Sequence, residues 1–403
     1  MSLFKLQLPL SSLTTAQVPR RVLSFTGSMM MASVMVVASG MVNAGSFMED
    51  LIDPDDGWLD GGKFLLEYPY AVLPVPIIIT EPAVGEGLGV AAAHFHDAPK
   101  DAPVDGLDSR GRAMPRSISA VALGATNNDT KFIGGGHFGH YKQDSIRYEG
   151  VVGYADVFMD FYGSIDEPNE EGFSFNSEAL ILSQVLAFRL GESDWFVGGA
   201  YRLISTDSRF DLHDGDPGID PETLDSNNAA VAAIIRYDSL DNQYAPKTGI
   251  VSDLQLARFD EAVGGDFNYN QYTWLNQVHL PLADDWVLGL RLDGDMASGD
   301  VPFYAVPYIE LKGIPALRYQ GKKVVTTEAR LNWQLHPRWQ LAAFVGAGRV
   351  SDDMDGLNEA TSRVSRGVGF RYLGVKKLGM NMGLDFAKGP EDEVIYISFG
   401  TRW

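Results

Sequence analysis

Cysteine is missing from all 403 residues, so neither disulfides nor thiolate metal sites hold this chain together. Positive charge is scarce. Against 53 Asp and Glu there are 32 Lys and Arg, a formal net charge of −21, which excludes a nucleic-acid surface and suits a chain with solvated acidic loops. Nor is there an apolar run of the roughly 20 residues that a spanning helix needs. What the chain has instead is 43 glycines, 11% aromatics and a mean hydropathy of only −0.07. That mixture is expected of many strands, each with one apolar and one polar face.

The one concentrated apolar stretch is near the N-terminus. Residues 1–42 carry Lys5, Arg20 and Arg21 but no acid, run almost wholly apolar from Met29 to Val37, and lead into the small-residue pattern Val42-Asn43-Ala44. This predicts a secretory signal peptide over 1–44; a retained membrane helix would need a longer run. Its removal takes away three positive charges and shifts the net charge from −21 to −24. Residues 45–72 are acidic and irregular, too short for an independent domain, and are placed in the periplasm or inside a lumen. An exported chain without a spanning helix is either soluble or a membrane β-barrel.

From 73 to 403 the chain alternates. In the closing stretch Ile395, Ile397, Phe399, Thr401 and Trp403 share one face, and Tyr396, Ser398, Gly400 and Arg402 the other. Likewise Leu378, Met380, Met382, Leu384 and Phe386 oppose Gly379, Asn381, Gly383 and Asp385. Val325, Thr327, Ala329 and Leu331 oppose Thr326, Glu328, Arg330 and Asn332. A period of two marks strands, and charges strung along the inner face do not suit a soluble sandwich. Sixteen strands are predicted, from 75–81 to 392–403. Counting back from the C-terminus, the connections alternate between short turns and long acidic or Gly-rich loops, with only 97–115 long on the short side. Short periplasmic turns opposite long external loops define an outer-membrane barrel. The expected fold is all-β, a transmembrane antiparallel β-barrel of about 16 strands over residues 73–403.

Two predicted strands, 226–239 and 249–261, are joined by Asp238-Ser239-Leu240-Asp241-Asn242, then Pro246 and Gly249, residues that break the ladder and shape a turn. This stretch resembles the periplasmic D-x-x-D-N-x-x-x-P-x-x-G turn of the bacterial surface antigen (BamA/TamA-like) superfamily of outer-membrane insertases and translocators. Leu311-Lys312-Gly313-Ile314, continuing through Arg318, Tyr319 and Gly321, resembles that family's sixth external loop, which folds back into the lumen with an Arg-Gly-aromatic tip. Ser398 to Trp403, with Phe399 and Trp403, is similar to the C-terminal recognition strand of outer-membrane barrels. Counting connections independently places the first motif on the periplasmic side and the second outside, as in the family. Two departures stand out. Members that insert or secrete proteins carry periplasmic POTRA domains, whereas only about 30 residues separate the predicted cleavage site from the first strand. The loop also has Lys312 where the family has arginine, and a lysine cannot form the planar two-bond fork with a carboxylate; Arg318 is the alternative.

The resemblance implies a loop whose Lys312 or Arg318 enters the lumen and pairs with Glu328 and Asp385, with Gly379 and Gly383 leaving room. It implies residence in the bacterial outer membrane among its lipids, and recognition of the C-terminal strand by the barrel-assembly machinery. The implied role is membrane assembly or transport acting on a client protein or lipid; a passive channel or structural surface barrel is the alternative. No enzyme activity, cofactor or metal is expected. His94 with His96 and His137 with His140 lack a carboxylate spacing that would complete a metal site. Ser183, Ser205 and Ser239 lie in no nucleophile motif, and Gly85, Gly87 and Gly89 precede no helix, which excludes a phosphate loop. Trp195, Trp286, Trp333, Trp339 and Trp403 fall near predicted strand ends, where a membrane-interface girdle places them.

Overall fold

In the computed structural model the described residues are 51–62, 72–96, 112, 114–163, 168–210, 224–400 and 403. The expected signal peptide and most of the long 97–115 connection lie outside them. Sixteen strands follow in order: β1 (Val72–Ile79), β2 (Gly87–Phe95), β3 (Ile118–Thr126), β4 (Lys131–Tyr141), β5 (Ile146–Gly163), β6 (Pro168–Arg189), β7 (Trp195–Phe210), β8 (Asp225–Asp238), β9 (Gly249–Phe259), β10 (Tyr269–Ala283), β11 (Trp286–Gly299), β12 (Lys323–His336), β13 (Trp339–Ser351), β14 (Arg363–Val375), β15 (Met380–Lys388) and β16 (Glu393–Phe399). Each pairs antiparallel with the next, in one sheet ordered from β1 to β16. No helix among the described residues is long and apolar enough to cross a membrane; the strands do so.

The period of two explains which side faces what. Outward positions such as Leu88, Val121 and Val368 stand 68%, 57% and 57% exposed, an apolar surface that suits hydrocarbon. Inward positions are buried and carry the charges, among them Arg147, Arg236, Asp253, Glu328, Arg330 and Asp385. The lumen is filled in layers. Toward the outside, aromatic residues from β5 to β10 pack on Phe303 and Tyr304 of the β11–β12 loop. Toward the periplasm, Leu73, Ala93, Phe95 and Ile118 from β1–β3 meet Val375, Leu378 and Met380 from the β14–β15 corner.

One edge is not closed by a ladder. Among the described residues β1 and β16 share no hydrogen-bonded register and stand at the two ends of the sheet order. β16 also stops at Phe399, short of the predicted 403, because Gly400 takes φ +63°, a left-handed conformation that glycine adopts freely and that ends a strand.

Candidate functional site

The site is built around the loop 300–322, which turns into the barrel. Phe303, Tyr304, Ile309, Leu311, Ile314 and Leu317 are all buried, so the loop is held by the apolar surface it removes from water. The inner wall has been cleared for it. A Cβ at Gly348 on β13 would overlap Ile309, so this approach of loop to wall needs glycine. The motif residues then lock in turn. Lys312 Nζ lies 2.6 Å from Asp385 Oδ2 and 5.3 Å from the Phe344 ring centroid. Gly313 donates its backbone N–H to Tyr396 Oη at 2.6 Å. The Tyr319 hydroxyl donates to Glu391, while Arg363 lies 4.3 Å over the Tyr319 ring.

Asp385, at 1% exposure, is the charge centre. Arg371 reaches both its oxygens at 2.8 Å and Arg330 donates to Oδ1 at 3.0 Å. The fork that lysine cannot make is therefore supplied by Arg371 from the wall. Arg318 takes no part: its guanidinium lies 4.3 Å over the Tyr162 ring. Glu328 is hydrogen-bonded instead to the indole of Trp403, Nε1 to Oε1 at 2.8 Å. Gly383 does lie beside this cluster, against Arg371, but Gly379 is in the β14–β15 turn against Asn242.

This loop also spans the open seam from within. On the β16 side it holds Tyr396, and on the β1 side Ala316 donates its N–H to Glu81 Oε1 at 2.9 Å. Glu81 is in the external β1–β2 turn, and burial pushes its carboxyl up to about 7, helped by the charges of Glu310 and Asp392.

The β8–β9 turn does the same at the periplasmic end. Asp241 Oδ1 accepts the N–H groups of Lys247 and Thr248, at 2.9 and 3.2 Å, and Asn242 Oδ1 those of Tyr244 and Ala245, at 2.7 and 2.9 Å. With Pro246 between them and Gly249 at φ +113°, these side chains stand in for a ladder. Asn242 Nδ2 then donates to Leu378 O at 3.2 Å on the β14–β15 turn, and Tyr244 packs into the cluster shared by β1–β3 and β14–β15. Asp238 anchors the turn to the inner wall through Arg147 at 2.6 Å. Arg147 also pairs with Asp144 at 2.6 Å, and the guanidinium groups of Arg147 and Arg189 lie 4.0 and 4.4 Å from the centroid of the buried Phe196 ring.

Sequence reasoning missed one partner altogether. Arg338, in the β12–β13 turn and 1% exposed, pairs with Asp53 at 2.5 Å, Asp56 at 2.7 Å and Asp60 at 2.6 Å of the acidic lead-in. Lys376 Nζ adds a contact to Asp53 at 2.9 Å, and the Tyr372 hydroxyl donates to Leu59 O at 2.5 Å. Burial alone would lower the Arg338 pKa, but the hydrogen bonds of Asp56 and Asp60 drive it upward. The acidic lead-in is visible in the sequence; its basic partner, hundreds of residues away, is not.

Trp403 corrects a second expectation. It does not sit in the membrane girdle but stands in the lumen, 5.9 Å from the His279 ring and against Gly289. Trp286 and Trp333, by contrast, stack at 5.4 Å on paired positions of β11 and β12. Among the described residues no group of His, Asp and Glu is arranged to hold a metal.

The described residues thus form a sixteen-stranded antiparallel barrel with an external loop folded into its lumen and a seam without a ladder. The Omp85 superfamily domain matches residues 183–403, and the chain belongs to the Omp85 superfamily, an outer-membrane family. Among solved structures it is similar to CdiB from Escherichia coli, with 12% identity, TM-score 0.55 and coverage of 83% of this chain and 63% of that one. It is also similar to CdiB from Acinetobacter baumannii, with 10% identity, TM-score 0.52 and coverage of 81% and 59%. BamA from Haemophilus ducreyi lacking POTRA domains 1–3 has 13% identity, TM-score 0.48 and coverage of 89% and 81%. The chain thus spans about three fifths of either CdiB. No curated protein matches it.

Proposed function

We propose that this barrel inserts or translocates a client, protein or lipid, by parting the seam between β1 and β16 toward the bilayer. The observation that carries this reading is that, among the described residues, the seam has no ladder and is bridged from inside by the loop. Exposed strand edges are templates for a further strand, so a seam held by a movable loop and turn can release its edges without dismantling the other fifteen pairings. A passive channel fits less well, because Phe303, Tyr304, Leu317 and Tyr244 fill the lumen where water would pass. During its own assembly, β16 with Phe399 is the segment that the barrel-assembly machinery would read, with Trp403 drawn into the lumen afterwards.

The absence of cysteine makes the test direct. Cysteine pairs scanned along β1 and β16 are introduced, and the rate at which the reconstituted protein promotes insertion of an unfolded barrel client into vesicles is measured. Oxidation is expected to stop the reaction and reduction to restore it. Undiminished insertion with the seam crosslinked, or a steady ion conductance unaffected by deleting residues 300–321, would sink the proposal.

A further inference from the structure

The outward faces of β2–β5 are aliphatic through most of their length, with Leu88, Val90, Val121, Leu123, Ile133 and Val152 exposed. Toward the periplasm the same alternation brings out different chemistry. His94 and then His96 continue the outward face of β2, Ser119 that of β3, His137 and Tyr141 that of β4, and Tyr148 that of β5. The register sets His94 opposite Ser119 and Ser119 opposite His137. Ser119 Oγ lies 2.8 Å from His96 Nε2 and 2.8 Å from His137 Nδ1, and His137 Nε2 lies 2.7 Å from the Tyr141 hydroxyl. The ring centroids of His94 and His96 are 4.8 Å apart, and those of His96 and His137 5.2 Å.

The surroundings are shaped for these rings. Tyr141 lies back over Gly139 and Tyr148 over Gly150, and a Cβ at either glycine would overlap the tyrosine. Tyr148, its hydroxyl tied to Gln184, faces His137 at 6.0 Å. One hydroxyl proton on Ser119 cannot serve two rings, so the relay runs in one direction at a time. Running from His96 to Ser119 to His137 to Tyr141, it presents the exposed Tyr141 O–H outward as the terminal donor. Lys142, exposed in the adjoining turn, adds a positive charge at the rim.

Polar side chains on a lipid-facing wall lose the hydrogen bonds of water, at several kcal/mol each in hydrocarbon, and such groups mark functional sites. At the periplasmic ends of β2 and β3 these donors face the headgroups of the inner leaflet. We propose that this patch binds the phosphodiester of a glycerophospholipid, with Tyr141 donating its O–H to a phosphate oxygen, His96 and His137 holding that hydroxyl in its donor orientation through the relay, and Lys142 at the rim. Binding rather than hydrolysis follows from the setting: Ser119 is within a strand paired on both sides, which offers no loop amides for an oxyanion.

The test uses the full-length protein in non-ionic detergent, titrated with dihexanoyl phosphatidylglycerol and followed by native mass spectrometry. Saturable binding that neither dihexanoylglycerol nor inorganic phosphate displaces is expected. In a His96→Gln/His137→Gln double variant it should weaken roughly tenfold, the equivalent of one charge-assisted hydrogen bond, and Leu123→Ala on the same face should leave it unchanged. Heat-modifiable migration on gels establishes that each variant is folded, and the three wild-type titrations decide without any variant. Equal binding of dihexanoylglycerol, equal displacement by free phosphate, or undiminished binding by the folded double variant would each overturn the proposal.

Discussion

Trp403, the last residue, hydrogen-bonds to Glu328 on the inner wall of β12, 2.8 Å from indole nitrogen to carboxylate oxygen. The C-terminus is thereby drawn away from the strand whose end it was expected to form. Replacing Trp403 with Phe keeps an aromatic ring and deletes the donor, leaving a buried carboxylate short of a partner. A loss of about 1–3 kcal/mol is expected for such a group, measured as a shift in the urea midpoint of unfolding in detergent. Glu328→Gln, which keeps an acceptor oxygen, should cost distinctly less.

The three cations on Asp385 are not equivalent. Asp385→Asn leaves Lys312, Arg330 and Arg371 without their shared counter-charge, and breaking a buried pair on one side costs about 3–5 kcal/mol. Lys312→Met leaves the Arg371 fork and Arg330 in place, so the wall should survive while the loop loosens. Maleimide labelling of a cysteine at Ile314 from outside the cell should be faster in both variants, and the urea midpoint of unfolding in detergent separates them, falling chiefly in the first.

Glu81 makes the outer part of the seam sensitive to pH. Its carboxyl is raised from 4.5 to about 7 by burial and neighbouring acids, so the folded state holds the proton more tightly than the unfolded one. The associated stability is complete below pH 4.5 and is lost as pH rises through about 7. Asp392, raised by burial and by Glu391, acts with the same sign. Thermal unfolding between pH 4.5 and 8 should therefore show a falling midpoint, and Glu81→Gln should flatten most of the fall.

Arg338 fastens the lead-in through a guanidinium shared among three aspartates. Arg338→Gln should release residues 51–62 to limited proteolysis at protease concentrations where the barrel itself stays intact. Arg338→Lys keeps the charge but cannot make the same fork, and should give an intermediate rate of cleavage.

The barrel was legible in the sequence because membrane strands are written in a period of two, and the predicted strands 249–261 and 322–336 agree within a few residues with β9 and β12. The two motifs were legible because Asp241, Asn242, Pro246 and Gly249 form a local turn that few other residues could make. What could not be read is contact across the lumen. Alternation places Arg330 and Asp385 on inner faces, yet nothing in spacing says that Arg371 joins them or that Arg318 turns aside to Tyr162. The Trp403 expectation failed for a local reason: a single glycine at 400 ends the alternation on which it was based.

The seam is bridged at two separate heights, by Ala316 with Glu81 and Gly313 with Tyr396 near the outside, and by the cluster around Tyr244 near the periplasm. Contacts in series along one slit add their free energies only when the whole slit parts. Fraying at one height costs that height's contacts alone and is correspondingly more frequent. The lower end of the slit can therefore open while the upper clasp still keeps the two edges in register, the order of opening that the proposed function would use.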